Sequence, residues 1–160
     1  MIKSRKNDYL TKGEEMDNHR ILVVDDEARM RKLIKDFLTA RQYIVLEASN
    51  GEEALEKMRE NRNTLSLVLL DVIMPVKSGI EVLQEIRSDN MLSRIPVIVT
   101  TAETRTEEES LDLGAIDFIP KPYPSDGVIK ARLRRIIELY EDKGLIQSTS
   151  RDLLTGVYNK

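Results

Sequence analysis

The stretch Thr64-Leu65-Ser66-Leu67-Val68-Leu69-Leu70-Asp71-Val72-Ile73-Met74-Pro75 decides how the rest of the chain is read. Its apolar run is too short for a globular helix, and its near-continuous hydrophobicity suits a strand buried on both faces, as in parallel sheets. The Met74-Pro75 turn closes it. Such a strand delivers Asp71 to its carboxyl end, and in open parallel sheets that edge is where ligands bind. Asp71 is therefore a candidate for chemistry, with an acid merely leaving a strand for solvent as the plain alternative.

Upstream, Ile21-Leu22-Val23-Val24 is another buried-strand run, and it ends in Asp25-Asp26-Glu27. Met30, Ile34, Phe37 and Leu38 then recur at helical spacing, with Arg31, Lys32 and Lys35 on the opposite face. Residues 43–46 read as a second strand, and a helix opening at Gly51 turns Ala54, Leu55 and Met58 inward. Downstream, a helix from Gly79 carries Val82, Leu83 and Ile86, and Ile95-Pro96 leads into a strand over 97–100, since proline suits a strand's first position. A polar helix is expected over 103–113, with Glu107, Glu108 and Glu109 near its positive end and Gly114 as its stop. A fifth strand covers 115–119, and a last helix beginning near Ser125 carries Ile129, Leu133, Ile136, Ile137 and Tyr140.

Five strands alternating with helices predict an α/β fold, a parallel sheet covered on both faces with right-handed crossovers. For five strands the flavodoxin-like doubly wound order 2-1-3-4-5 places strands 1 and 3 side by side at the topological switch point. Asp25, Asp26 and Asp71 then meet at one edge.

Composition bounds what such a fold can do. The 160 residues suit one domain plus extensions, and 41% hydrophobic with 33% charged residues is a globular profile. There is no cysteine, hence no disulfide or thiol chemistry. No apolar run is long enough for a membrane span and no apolar segment follows the basic start, so a cytoplasmic location without membrane contact is expected. The net charge of -3 with dispersed Lys and Arg offers no basic stripe for DNA, so no nucleic-acid partner is expected.

Adjacent acids after a strand serve as a helix N-cap or as cation ligands. Two carboxylates about 4 Å apart repel by roughly 4 kcal/mol at an effective dielectric of 20, so three together are costly without a cation. Oxygen ligands without a nearby His or Cys favour Mg2+ over zinc. Lys121, in Ile119-Pro120-Lys121-Pro122, and Thr101, just past the fourth strand, reach the same sheet edge. Their plain readings are a surface lysine and a strand-end cap. Together with the acids, however, they supply a nucleophile, a metal site and two stabilisers of phosphoryl charge, the parts needed to phosphorylate an aspartate.

On Val23-Val24-Asp25-Asp26-Glu27, the segment from Leu70 to Gly79, Pro96-Val97-Ile98-Val99-Thr100-Thr101-Ala102 and Lys121-Pro122, the chain resembles the receiver domain of bacterial two-component response regulators. The resemblance covers about 20–139. It implies that a sensor histidine kinase phosphorylates Asp71 and that Mg2+ is held by Asp26, Asp71 and the Ile73 backbone carbonyl, with Asp25 assisting through water. It further implies that Thr101 contacts the phosphoryl group, that Lys121 pairs with it, that Phe118 is the switch aromatic, and that the bond before Pro122 is cis. In that family the positions matching Ile73 and Glu103 vary and bear on phosphoryl lifetime, so the resemblance leaves that lifetime open.

A second resemblance lies in Arg151-Asp152-Leu153-Leu154-Thr155-Gly156-Val157-Tyr158-Asn159-Lys160, which looks like the opening motif of GGDEF diguanylate cyclase domains with Val157 and Lys160 as departures. The implied organisation is a flexible extension over 1–19, a receiver over 20–140, a helical linker over 141–150 and the start of a truncated GGDEF domain over 151–160. Ile136, Leu139, Tyr140, Lys143 and Ile146 form an imperfect apolar stripe, expected to extend the last helix into a short coiled coil that makes a homodimer on phosphorylation. The parent would then make c-di-GMP. Competing readings are a stand-alone phosphorelay receiver acting through protein contacts, a phosphate-ester hydrolase, and a flavodoxin-like FMN binder. The last needs phosphate-cradling amides where this chain has Asp25-Asp26-Glu27.

Overall fold

The computed structural model describes residues 19–102, 104–121, 125–144 and 146. In chain order these form β1 (Arg20–Val24), α1 (Ala28–Ala40), β2 (Ile44–Ala48), α2 (Gly51–Glu60), β3 (Leu65–Asp71), α3 (Gly79–Arg87), β4 (Val97–Thr101), α4 (Glu107–Asp112), β5 (Asp117–Pro120) and α5 (Asp126–Asp142). The strands are parallel in the order β2-β1-β3-β4-β5, as the alternating pattern predicts.

Because strand side chains alternate between faces, β1 divides its residues between two cores. Ile21 and Val23, with Leu67, Leu69, Ile98 and Ile119 of neighbouring strands, meet Met30, Ile34 and Leu38 of α1 and Ile129, Leu133 and Ile137 of α5. Leu22 and Val24, with Val68, Leu70, Val97 and Val99, meet α2 and α3 through Ala54, Leu55, Met58, Val82, Leu83 and Ile86. Each fully buried aliphatic side chain contributes about 1.5–3 kcal/mol relative to exposure, so this two-sided core holds the carboxyl edge of the sheet in place.

The helix starts are set by local chemistry. Asn50 caps α2 through the Glu53 N–H at 2.9 Å, and Ser78 and Glu81 form a reciprocal capping box on α3. At α1 the cap position is Glu27, which makes no side-chain cap bond. The N-cap alternative for Asp25-Asp26 is thereby set aside, and both acids remain at the sheet edge.

Several boundaries differ from the sequence reading. β2 runs later than 43–46. β5 starts at Asp117, because the chain leaving α4 first makes Ala115 N–H to Ser110 O and Ile116 N–H to Val97 O bonds. The helix expected over 103–113 shrinks to Glu107–Asp112 behind a 3-10 turn at Thr104–Thr106, since only Ser110 of α4 is buried and no apolar stripe extends it.

The largest correction concerns the linker. α5 is the longest described helix at 17 residues, yet it ends at Asp142, and residues 143, 144 and 146, the described part of the expected 141–150 linker beyond it, are not helical. Gly144 takes φ +79, its N–H donates to the Glu141 carbonyl, and the Ile146 N–H donates to the Tyr140 carbonyl. Ile146 is thereby folded back into the α1/α5 core, fully buried, and cannot belong to an exposed helical stripe. The extension over 1–18, Glu103, the bond before Pro122, residues 145 and 147–150 of the expected linker and the GGDEF-like residues 151–160 lie outside the described residues.

Candidate functional site: an acid cluster at the carboxyl edge of the sheet

β1 and β3 are adjacent and in register through Val24 and Leu70, so the residues that follow, Asp25 and Asp71, emerge side by side. Carboxylate oxygens of Asp25, Asp26 and Asp71 all lie within 4.8 Å of one another. Asp25 and Asp71 are buried, at 2% and 5% exposure, whereas Asp26 is exposed. The cluster thus has two acids set into the sheet edge and one open to solvent.

Each buried acid is held by several donors. Asp25 Oδ1 accepts the Glu27 N–H at 2.9 Å, and Asp71 Oδ1 accepts the Ile73 N–H at 3.2 Å, which sets the Val72–Ile73 peptide beside the carboxylate. Lys121 Nζ lies 2.9 Å from Asp25 Oδ2 and 3.4 Å from Asp71 Oδ2. Lys121 itself is anchored through its backbone, whose N–H donates to the Thr101 carbonyl at 2.8 Å. Burial pushes the Asp71 carboxyl up; the Lys121 ammonium opposes this, the Asp25 carboxylate adds to it, and the balance lies at about 6. For Lys121, burial works against the ammonium, but Asp71 and Asp25 outweigh it and raise its pKa.

The structure therefore brings together Asp25, Asp26, Asp71 and Lys121, and of Ile73 it places the N–H, not the expected carbonyl, on the Asp71 carboxylate. Thr101 ends β4 fully buried, opposite Pro120 of β5. The register partner of Asp71 on β4 is Thr100, also buried. Phe118 faces Val99 across β4 and β5 and packs in the core on the α2/α3 side. Two features were missed. Gly79, the first residue of α3, sits so close to β3 that a Cβ there would lie 2.4 Å from the Asp71 carbonyl oxygen. Arg31, placed by its spacing only on the charged face of α1, donates to the Asp25 carbonyl at 2.7 Å. The glycine at an acid-turn-helix junction was a legible signal; Arg31 had none, because its partners are set by tertiary contact.

The chain matches the response regulator receiver domain family over residues 21–134. It belongs to that family. The chemotaxis protein CheY of Bacillus subtilis is 40% identical over 114 residues, covering 71% of this chain and 93% of that protein. The transcriptional regulatory protein CpxR of Klebsiella pneumoniae is 38% identical over 121 residues, covering 74% of this receiver chain and 49% of CpxR. The receiver thus spans about half the length of such transcriptional regulators. Among solved structures, the CheX-CheY-BeF3-Mg+2 complex from Borrelia burgdorferi aligns with a TM-score of 0.66 at 28% identity, covering 76% of this chain and 89% of that one. CheY4 of Vibrio cholerae aligns with a TM-score of 0.65 at 28% identity, covering 74% and 98%. No described helix of the receiver is long and apolar enough to cross a membrane.

Proposed function

We propose that this receiver takes a phosphoryl group from a histidine kinase onto Asp71, and the observation that carries the proposal is the convergence of Asp25, Asp26, Asp71 and Lys121 on one small volume. The cluster fits a hard divalent cation: its donors are oxygens only, its net charge is negative even with Lys121, and ligand oxygens of all three acids lie within 4.8 Å of one another. Asp26, Asp71 and the Ile73 carbonyl would hold Mg2+, with Asp25 assisting through water. When bound, Mg2+ supplies charge neutralisation for the transferred phosphoryl oxygens. The Borrelia relative crystallised with BeF3 and Mg2+ supports this reading.

In the transfer, an Asp71 carboxylate oxygen forms a bond to phosphorus as the phosphorus–nitrogen bond to the kinase histidine breaks. The imidazole nitrogen keeps the electron pair and takes a proton. Lys121 exchanges one carboxylate partner for a phosphoryl oxygen, and Thr101 offers its hydroxyl as a second stabiliser. Movement of Thr101 would repack Phe118, the neighbouring aromatic on β5, and pass the change to α4 and α5 as a population shift. The test is incubation with acetyl phosphate and Mg2+ followed by intact mass. Incorporation of one phosphoryl group at Asp71 is expected, and incorporation elsewhere would overturn the assignment.

Asp26→Ala is expected to weaken Mg2+ binding and slow phosphorylation while leaving the fold intact. Relief of carboxylate repulsion should even raise the melting temperature slightly in metal-free buffer. Unchanged Mg2+ affinity in a titration would remove Asp26 from the ligand set.

For the output, the GGDEF-like motif at 151–160 supports a diguanylate cyclase joined to this receiver, activated when phosphorylation pairs two chains through α4, β5 and α5 and so brings two GTP-loaded domains together. Leu111 and Leu139, large apolar side chains 42% and 45% exposed on α4 and α5, suit such a contact. Sedimentation with and without beryllofluoride is expected to show dimer only with it; monomer in both states at tens of micromolar would reject the pairing. The transcriptional regulators among the relatives favour a second reading, a DNA-binding output. Production of c-di-GMP from GTP by the natural full-length protein separates the two.

A further inference from the structure

We infer that Arg31 is a positioning residue for the cation site, acting through the backbone that joins Asp25 to Asp26; the inference rests on the proposed Mg2+ site. The Asp25 backbone is held at both ends. Its N–H donates to the Ala48 carbonyl at the end of β2, and its carbonyl accepts the Arg31 guanidinium at 2.7 Å. That carbonyl belongs to the peptide leading into Asp26. Because a peptide is planar, fixing its oxygen fixes the orientation of the Asp26 N–H and limits where the Asp26 carboxylate can reach.

Arg31 is itself oriented from a third element. Its Nε lies 3.3 Å from Glu47 Oε1 on β2, and Lys35, one helical turn on, lies 3.2 Å from the other Glu47 oxygen. The Lys57 ammonium of α2 donates to the Glu47 carbonyl, so α1, β2 and α2 meet at one acid beside the cluster. The Arg31 side chain is 20% exposed and Glu47 34%, which makes this bridge far less solvated than the Lys32–Asp36 pair on the outer face of the same helix. Asp26, by contrast, is exposed and has no strand to hold it. Its two flanking peptides hold it instead: the Glu27 N–H on one side donates to Asp25 Oδ1, and the Asp25 carbonyl on the other is fixed by the guanidinium.

The sign of the Arg31→Ala effect separates positioning from simple electrostatics. Deleting a nearby positive charge should strengthen binding of a cation if charge alone matters. Positioning requires the opposite: Arg31→Ala weakens Mg2+ binding, by about tenfold if it behaves like other groups that orient ligands from behind. Arg31→Lys keeps a donor and should recover part of the loss, and Glu47→Gln, which leaves Arg31 in place but loosens it, should fall between. In an Asp26→Asn background the Arg31→Ala effect should largely vanish, because the group being positioned is gone.

Amide-resolved NMR titration of the whole chain with MgCl2 reads these affinities, with thermal unfolding in EDTA as the check on folding. Hydrogen exchange of the Glu27 amide, which bonds Asp25 Oδ1, reads the turn without metal and should quicken in Arg31→Ala. Wild type that binds no Mg2+ defeats the site itself. Wild type that binds, with Arg31→Ala binding equally or more tightly and Glu27 exchange unchanged, overturns the inference alone. If Arg31→Ala does not fold, Glu27 exchange in Arg31→Lys and Glu47→Gln decides, because deleting the Glu47 charge weakens cation binding by itself: quickened exchange supports positioning and unchanged exchange overturns it.

Discussion

Asp71→Asn is expected to take up no phosphoryl group from acetyl phosphate, and to be more stable than the wild type in metal-free buffer at mildly alkaline pH. The first effect follows from removing the only buried carboxylate at the end of β3 that faces Lys121. The second follows from linkage. Asp71 has a folded pKa of about 6 against 3.8 in an unfolded chain, so the folded state binds the proton more tightly. Its contribution therefore favours folding at low pH and is lost as pH rises from about 4 through about 6. The whole displacement corresponds to ~3 kcal/mol, and water at the open sheet edge reduces the expected gain in Asp71→Asn to about 1–2 kcal/mol. The advantage should shrink as pH falls toward the unfolded value and should reverse when Mg2+ is added, because only the wild type binds it well. Urea denaturation across that pH range measures it, and a pH-independent difference would contradict the burial argument.

Gly79→Ala is expected to be strongly destabilising for the addition of a single methyl group. A Cβ at this position would lie 2.4 Å from the Asp71 carbonyl oxygen and 2.6 Å from the Val72 Cα, both backbone atoms that cannot swing aside. The Gly79 N–H also donates to the Val72 carbonyl at 2.8 Å, so α3 cannot slide away without breaking that bond. The same loop is pressed from the other side by Gly51, where a Cβ would lie 2.3 Å from the Lys77 carbonyl. It also holds Val76 at φ +70, a conformation costly for a β-branched residue. With no room on either flank, overpacking should cost about 2–3 kcal/mol or more and displace the Asp71–Ile73 turn, weakening Mg2+ binding as well. A loss below about 0.5 kcal/mol in denaturant would mean that α3 relaxes freely.

Some of this molecule was readable before any coordinates. The parallel sheet follows from the run ending at Asp71 and from helical spacing between strands, because both signals are local: period and length suffice to tell a buried strand from an amphipathic helix. The meeting of Asp25 and Asp26 with Asp71 needed one further step, the strand-order rule that places β1 beside β3. Lys121 was legible for the same reason, since β5 can end only at that edge.

What tertiary structure alone decided lies where one local pattern suits two outcomes. Ile136, Leu139, Lys143 and Ile146 satisfy a helical stripe by spacing, yet the positive φ at Gly144 turns the chain and Ile146 is buried in the α1/α5 core. The burial available there depends on α1 and β1, far away in sequence. Arg31 shares a charged helix face with Lys32 in the sequence, but Lys32 pairs with Asp36 on its own helix while Arg31 reaches Asp25 and Glu47. Spacing places a side chain on a face; only the packing of β2 and β1 against α1 determines which carbonyl and which carboxylate it finds there.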